Sequence, residues 1–305
     1  MAFTAKDVAE LRRQTGCGMM DCKNALVAAD GNFEEAIKVL REKGMAATAK
    51  KASRIAAEGV VAILTENNTT AMVEVNSETD FVAKNETFQA FVKDILKAIL
   101  ANRPADVDAL MANKINDTQT VKEALEEKTF TIGEKLSLRR FIIVDGIVST
   151  YVHGIGATGV IIKFETDEKT AATAEFAEFS KNIALQAAAM PSLYLDKESV
   201  PASALEEEKE ILSKQMEQDP KFAGKPQKVL DGIIMGKLGK FYETNCLMEQ
   251  SYVKDDSLTV GKYVAATAKA LGADIKVVAF YRYDKGEGIQ KREENFAEEI
   301  AKLVK

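Results

Sequence analysis

The sequence predicts an α+β protein with an N-terminal three-helix bundle, a duplicated core of two α+β subdomains with antiparallel sheets, and a projecting helical-hairpin arm. Three observations predict this. Residues 1–45 hold three short helical patterns separated by glycine breaks. A pattern of two strands and a helix occurs twice, 87 residues apart. Residues 201–243 are two polar helical runs joined by a turn rich in proline and glycine.

In the bundle, Thr4 with Asp7 caps the first helix, and Gly16 stops it. The second helix runs from Met19 to Ala29 and ends at Asp30-Gly31. Asn32 with Glu35 resembles a capping box for the third, which Gly44 is expected to end. Phe33, Ile37 and Leu40 fall on one face of it. Residues 46–57 then read as a helical or extended linker whose basic face carries Lys50, Lys51 and Arg54.

The first repeat covers 58–144. Glu58-Gly59-Val60-Val61 and Met72-Val73-Glu74-Val75 begin its strands. Glu78-Thr79-Asp80 follows, then a helix carrying Phe88, Phe91 and Ile95. Asp117–Glu127 is helical, and Leu138–Val144 is a strand. The second repeat covers 145–200 and 244–283. Its strands begin at Asp145-Gly146-Ile147-Val148 and Val160-Ile161-Ile162. Glu165-Thr166-Asp167 and a helix with Phe176, Phe179 and Ile183 complete it. Thr259–Leu271 reads as a helix and Ile275–Tyr283 as a strand. A C-terminal module, 284–305, opens with the turn Asp284-Lys285-Gly286-Glu287-Gly288. It ends in an amphipathic helix with Phe296, Ile300 and Leu303 on one face.

The bulk numbers exclude several function classes. A chain of 305 residues, 46% hydrophobic and 29% charged, has enough apolar material for about two ordinary domains. Its net charge of −6 argues against a dominant nucleic-acid role, which calls for a basic face. The three cysteines, Cys17, Cys22 and Cys246, are odd in number, and the polar N-terminal pattern is not that of a signal peptide. No apolar run reaches the length of a membrane span, so a cytoplasmic location is expected. With the single histidine His153, most histidine-based catalysis and metal binding lacks its raw material.

The glycine motifs do not make a nucleotide site. Gly154-Ile155-Gly156-Ala157-Thr158-Gly159 has the letters of a dinucleotide fingerprint, but strand residues Val160–Phe164 follow where a helix must open. A hairpin turn is the better reading. Gly232–Lys237 has three residues between its glycines and Leu238 where a magnesium-binding hydroxyl belongs. No catalytic residue, metal site or cofactor is predicted.

That leaves Thr79-Asp80-Phe81-Val82-Ala83-Lys84-Asn85, at a strand-to-helix turn that Thr79 or Asn85 could cap. On pattern alone Phe81 either fills its own core or faces outward. The repeat favours the second: Asp167 is kept, but Glu168 stands where Phe81 would be.

With these residues in view, the chain resembles bacterial elongation factor Ts over nearly its whole length. Thr15-Gly16-Cys17-Gly18-Met19-Met20-Asp21-Cys22-Lys23 is similar to the family's N-terminal signature, and Thr79–Asn85 to its most characteristic motif. His153-Gly154, Ala187–Pro191 and Gly286-Glu287-Gly288-Ile289 fall in family order. The resemblance implies a non-enzymatic guanine-nucleotide exchange factor for elongation factor Tu. Asp80 and Phe81 would disturb the partner's magnesium and phosphate site, and Met19, Met20, His153 and Phe296 would be further contacts. It also implies a ubiquitin-associated-like bundle and a coiled-coil arm. No direct nucleic-acid or membrane contact is implied, and a homodimer or heterotetramer through the core or the arm stays open. Gly232 and Gly239 depart from the family pattern in the arm. Two other readings stay open at this point: a nucleotide-dependent enzyme using the Gly154 turn, and an RNA- or ribosome-associated module using Lys50, Lys51 and Arg54.

Overall fold

The computed structural model describes residues 3–290. The chain forms two compact units. Of the described residues, the first takes in 3–143, the segment Val152–Thr158, and 283–290. The second takes in Val144–Tyr151 and Gly159–Arg282.

The first unit opens with α1 (Ala5–Thr15), α2 (Met19–Ala28) and α3 (Phe33–Lys51). Thr4 and Asp7 form the expected reciprocal cap, and Gly16 ends α1 in the left-handed conformation. Asn32 caps α3 by accepting from the Glu35 N–H. Leu11, Cys22, Leu26, Ala36 and Leu40 form the bundle core. The expectation that Gly44 ends α3 is wrong. The helix continues through it to Lys51, so half of the expected linker is helix. Gly44 is buried, and a Cβ there would lie 3.7 Å from the Glu126 carbonyl oxygen. That is ordinary van der Waals contact, so the glycine lies against a later helix, inside a continuous α3, and does not turn the chain.

Next come β1 (Glu58–Glu66) and β2 (Thr69–Ser77), antiparallel with Val60 opposite Val75. The one-turn helix α4 (Asp80–Ala83) leads into α5 (Glu86–Asn102). Then follow α6 (Val107–Ala112), α7 (Val121–Ile132) and β3 (Ser137–Asp145), which completes a sheet ordered β1-β2-β3. The α5 face of Phe88, Phe91, Val92 and Ile95 packs with Val73 and Val75 of the sheet. The helix expected over Asp117–Glu127 starts later, at a capping box of Thr120 and Glu123. It packs on α3, with Phe130 against the bundle core. Lys51 donates to the Thr129 carbonyl at 3.2 Å, and its pKa is lowered by burial. Arg54 pairs with Glu78. Two of the three basic residues flagged in the linker therefore serve the fold.

The second unit repeats the plan. Its strands β4 (Val148–His153) and β5 (Thr158–Glu165) are followed by α8 (Glu168–Ala171) and α9 (Ala174–Ala189). The helical hairpin is α10 (Ala202–Gln218) and α11 (Gln227–Asn245). A short pair, β6 (Ser251–Tyr252) and β7 (Asp255–Thr259), was not foreseen. It precedes α12 (Val260–Leu271) and β8 (Lys276–Asp284), which closes a sheet ordered β4-β5-β8. Phe164, Phe176 and Phe179 meet edge-on in its core. The expected C-terminal helix with Phe296 lies outside the described residues.

The arm helices pack through Leu212, Met216 and Leu238. Gly232 and Gly239 lie inside α11, and a Cβ at either would meet nothing within 4 Å. No close packing demands glycine there, so each carries only its helix-interior cost of about 1 kcal/mol relative to alanine. Gly232→Ala and Gly239→Ala should therefore each stabilise α11 by about that amount. Amide hydrogen exchange over Gln227–Asn245 would read this as slower exchange.

Candidate functional site

The segment Thr79–Asn85 is pinned at both ends and open in the middle. Val82 and Ala83 are buried in the first core. Asn85 caps α5 by accepting from the Phe88 N–H at 3.2 Å, and the Gln89 amide donates to the Ala83 carbonyl. Just before these anchors Phe81 is 79% exposed, the highest value for a large hydrophobic side chain among the described residues. A phenylalanine in water forgoes about 1.5–3 kcal/mol of burial. The outward reading of Phe81 is the one the structure takes.

Asp80 is half exposed and pairs with Lys84 one helical turn on, at 2.5 Å. That hydrogen bond holds its carboxyl below the usual carboxylate range, and the positive charge of Lys285 adds to the effect. The Lys84 ammonium also lies over the Phe81 ring at 5.8 Å from its centre. Asp80 is thus an ionised carboxylate at neutral pH, displayed next to a bare aromatic ring.

The structure revises the repeat comparison. Asp167 is the N-cap of α8 and accepts from the Thr170 N–H and hydroxyl. In the first unit the N-cap is Thr79, and Asp80 is the first helical residue. The matching helix positions are 88 apart, so Asp80 corresponds to Glu168 and Phe81 to Lys169. Glu78-Thr79-Asp80 and Glu165-Thr166-Asp167 share their letters but not their roles. The carboxylate of Asp167 is explained by capping, and that of Asp80 is not.

Of the other expected contact residues, Met19, Met20 and His153 fall in the same unit. Met19 and Met20 stand exposed on the first turn of α2. His153 ends β4, in an exposed tip with Val152 and Ile155. Its carbonyl accepts from the Ala157 N–H at 3.0 Å, and Gly154 and Gly156 take φ of 58° and 74°. The glycine motif is therefore a hairpin turn followed by β5, as its context predicted. Gly232–Lys237 is helix interior.

One buried group escaped sequence reasoning. Glu74 on β2 is fully buried. Its carboxylate accepts from Arg139 at 3.0 Å, Arg140 at 2.6 Å, the Asn76 amide at 3.0 Å and the Gly286 N–H at 2.8 Å. Arg140 also reaches Glu287 and stacks over Tyr283. This cluster fastens the Asp284–Glu287 turn, and with it Lys285, to the first sheet. Its signal lay in the sequence: a glutamate inside the apolar run Met72–Val75 and an arginine pair inside a later strand. Without strand order these could not be paired.

Comparison with known proteins fits this geometry. A family model described as elongation factor TS matches residues 78–287. The chain belongs to the elongation factor Ts family. Curated relatives named elongation factor Ts include those of Clostridioides difficile, 47% identical over 99% of both chains, and Syntrophotalea carbinolica, 44% identical over the full length of both. That of Clostridium kluyveri is 43% identical over 99% of both. Among the described residues no cluster of three or more His, Cys, Asp or Glu could hold a metal ion. No helix among them is long and apolar enough to cross a membrane.

Burial pushes the Glu74 carboxyl up, but the Gly286 N–H, Asn76 and the two arginines outweigh it, and the net pKa is lowered. A lowered folded pKa gives stability that is present above the ordinary glutamate value of 4.5 and is lost as pH falls through the folded value. Glu74→Gln should cost about 2–3 kcal/mol at pH 7, because the half-buried Arg139 and Arg140 lose the buried carboxylate they share. It should also flatten the acid limb of stability below pH 4.5. Urea unfolding at neutral and acid pH measures both.

Proposed function

We propose that this chain binds elongation factor Tu carrying GDP and promotes GDP release during translation elongation. The observation that carries the reading is the pair Asp80 and Phe81, displayed on a one-turn helix whose neighbours are locked into a core. Family membership supplies the partner.

The physics of exchange restricts how this works. A factor that binds GDP-bound and nucleotide-free partner equally well shifts nothing. It must prefer the nucleotide-free form, and GDP must weaken the factor by the same ratio. Phe81 suits this role if its ring finds an apolar pocket only where the partner's nucleotide site has opened. Burying it there supplies about 1.5–3 kcal/mol, or one to two decades of coupling. Asp80 brings a fixed negative charge to a site that holds magnesium and phosphate. Like-charge repulsion against phosphate, or competition for its donors, weakens GDP there. The factor forms and breaks no covalent bond and is not an enzyme. It carries no cofactor of its own.

The structure gives the RNA- or ribosome-associated reading little support, because Lys51 and Arg54 are engaged within the first unit. A surface cation used for phosphate contacts would have to remain available to them.

The test is the release of fluorescent GDP from purified elongation factor Tu, with and without the chain. Acceleration by the wild-type chain is expected. Asp80→Ala with Phe81→Ala should lower the rate at saturating factor by about 10- to 100-fold. No acceleration by the wild type would refute the function. An unchanged rate in the variant would refute the site alone.

A further inference from the structure

We propose that Glu134 is a positioning residue for the Asp80–Phe81 pair, acting through Thr79; this rests on the exchange reading above. A single helical turn has no stability of its own, so the direction of α4 is set by what holds its ends. The C-terminal side is held by the buried Val82 and Ala83. The N-terminal side lacks the usual device. Thr79 is in the N-cap position with extended backbone (φ −125°, ψ 159°), but its side chain makes no cap hydrogen bond.

Instead Thr79 is gripped from a distant loop. Its N–H donates to one oxygen of the Glu134 carboxylate at 3.0 Å, and its hydroxyl donates to the other at 2.7 Å. The grip is reciprocal. The Lys135 N–H donates to Glu78 at 2.6 Å, so each of two neighbouring segments offers a carboxylate to the other's backbone. The Ser77 hydroxyl closes the turn by donating to the Thr79 carbonyl at 2.9 Å. Charge-assisted bonds of this kind are the stronger class. In the second unit Asp167 caps its own helix with its own side chain. In the first unit the grip comes from elsewhere, and the carboxylate next to Phe81 is left for other use.

The source of the grip is itself fixed. Glu134 follows Gly133, whose φ of 87° ends α7 and turns the chain back. Lys51 and Phe130 hold α7 against α3. A continuous path of packed and hydrogen-bonded groups therefore runs from the helical bundle through α7 and Glu134 to α4.

The test is the rate of fluorescent GDP release from elongation factor Tu against factor concentration, for the full chain and its variants. Glu134→Ala should lower the rate at saturation by about tenfold, the loss of one to two charge-assisted hydrogen bonds. Its half-saturating concentration should change less than about threefold, because the other contact surfaces still dock. Glu134→Gln, which keeps an acceptor, should recover part of the loss. In an Asp80→Ala, Phe81→Ala background Glu134→Ala should have no further effect, since the residue acts through that pair. Thermal unfolding of each variant separates positioning from a general loss of fold.

Four results would overturn the proposal while leaving the exchange reading in place. These are a saturated rate unchanged by Glu134→Ala, a change confined to half-saturation, a full effect persisting without both Asp80 and Phe81, and a rate loss that tracks unfolding. If the wild-type chain itself fails to accelerate release, the exchange reading falls first, and this proposal falls with it.

Discussion

Phe81 stays in water because its neighbours cannot move. Val82 and Ala83 are drawn into the first core, and Asn85 starts the long helix that supplies both of that core's buried phenylalanines and several of its aliphatic side chains. Turning Phe81 inward would rotate α4 and pull those residues out. The fold therefore holds one large apolar side chain exposed against its own preference, next to a carboxylate kept ionised by Lys84. Exposure of this kind favours any event that buries the ring. The proposed exchange function supplies such an event.

The parts around α4 make sense as supports for that arrangement. Two glutamates do most of the work on its N-terminal side, Glu134 on Thr79 and Glu78 on the Lys135 backbone. Glu74 acts further back. It fastens the turn that carries Lys285, whose charge helps keep Asp80 ionised. These carboxylates are partly or fully buried and hydrogen-bonded, while Asp80 is half exposed. The difference separates charges that hold the structure from one that is offered outward.

Much of this was legible in the sequence, for stated physical reasons. The caps at Thr4, Asn32 and Asn85 and the left-handed stop at Gly16 depend only on local chemistry, and they fall where the residues put them. The strand-pair-plus-helix repeat was visible because both cores need aromatic residues at the same helix positions, Phe88 with Phe91 and Phe176 with Phe179. What failed needed information from across the chain. Gly44 reads locally as a helix stop, and only the tertiary packing of α3 on α7 shows that the helix runs through it. The matching tripeptides at Glu78 and Glu165 aligned by letter but not by role, because one residue of shift separates a cap from the first helical position. Glu74 and Glu134 could not be assigned until strand order and the end of α7 were known. The direction of Phe81 was only half legible: the lack of an apolar counterpart in the second copy pointed outward, and the revised alignment, with Lys169 opposite it, points the same way more firmly.

The central claim is that this exposed pair distinguishes two states of the partner. The most direct measurement is the affinity of the chain for elongation factor Tu in nucleotide-free and GDP-saturated form, each titrated with wild-type chain and with Phe81→Ala. The account predicts that wild type binds the nucleotide-free form at least about tenfold more tightly, and that Phe81→Ala moves this ratio toward one. Equal wild-type affinities for the two forms, or a ratio that Phe81→Ala leaves unchanged, would contradict it.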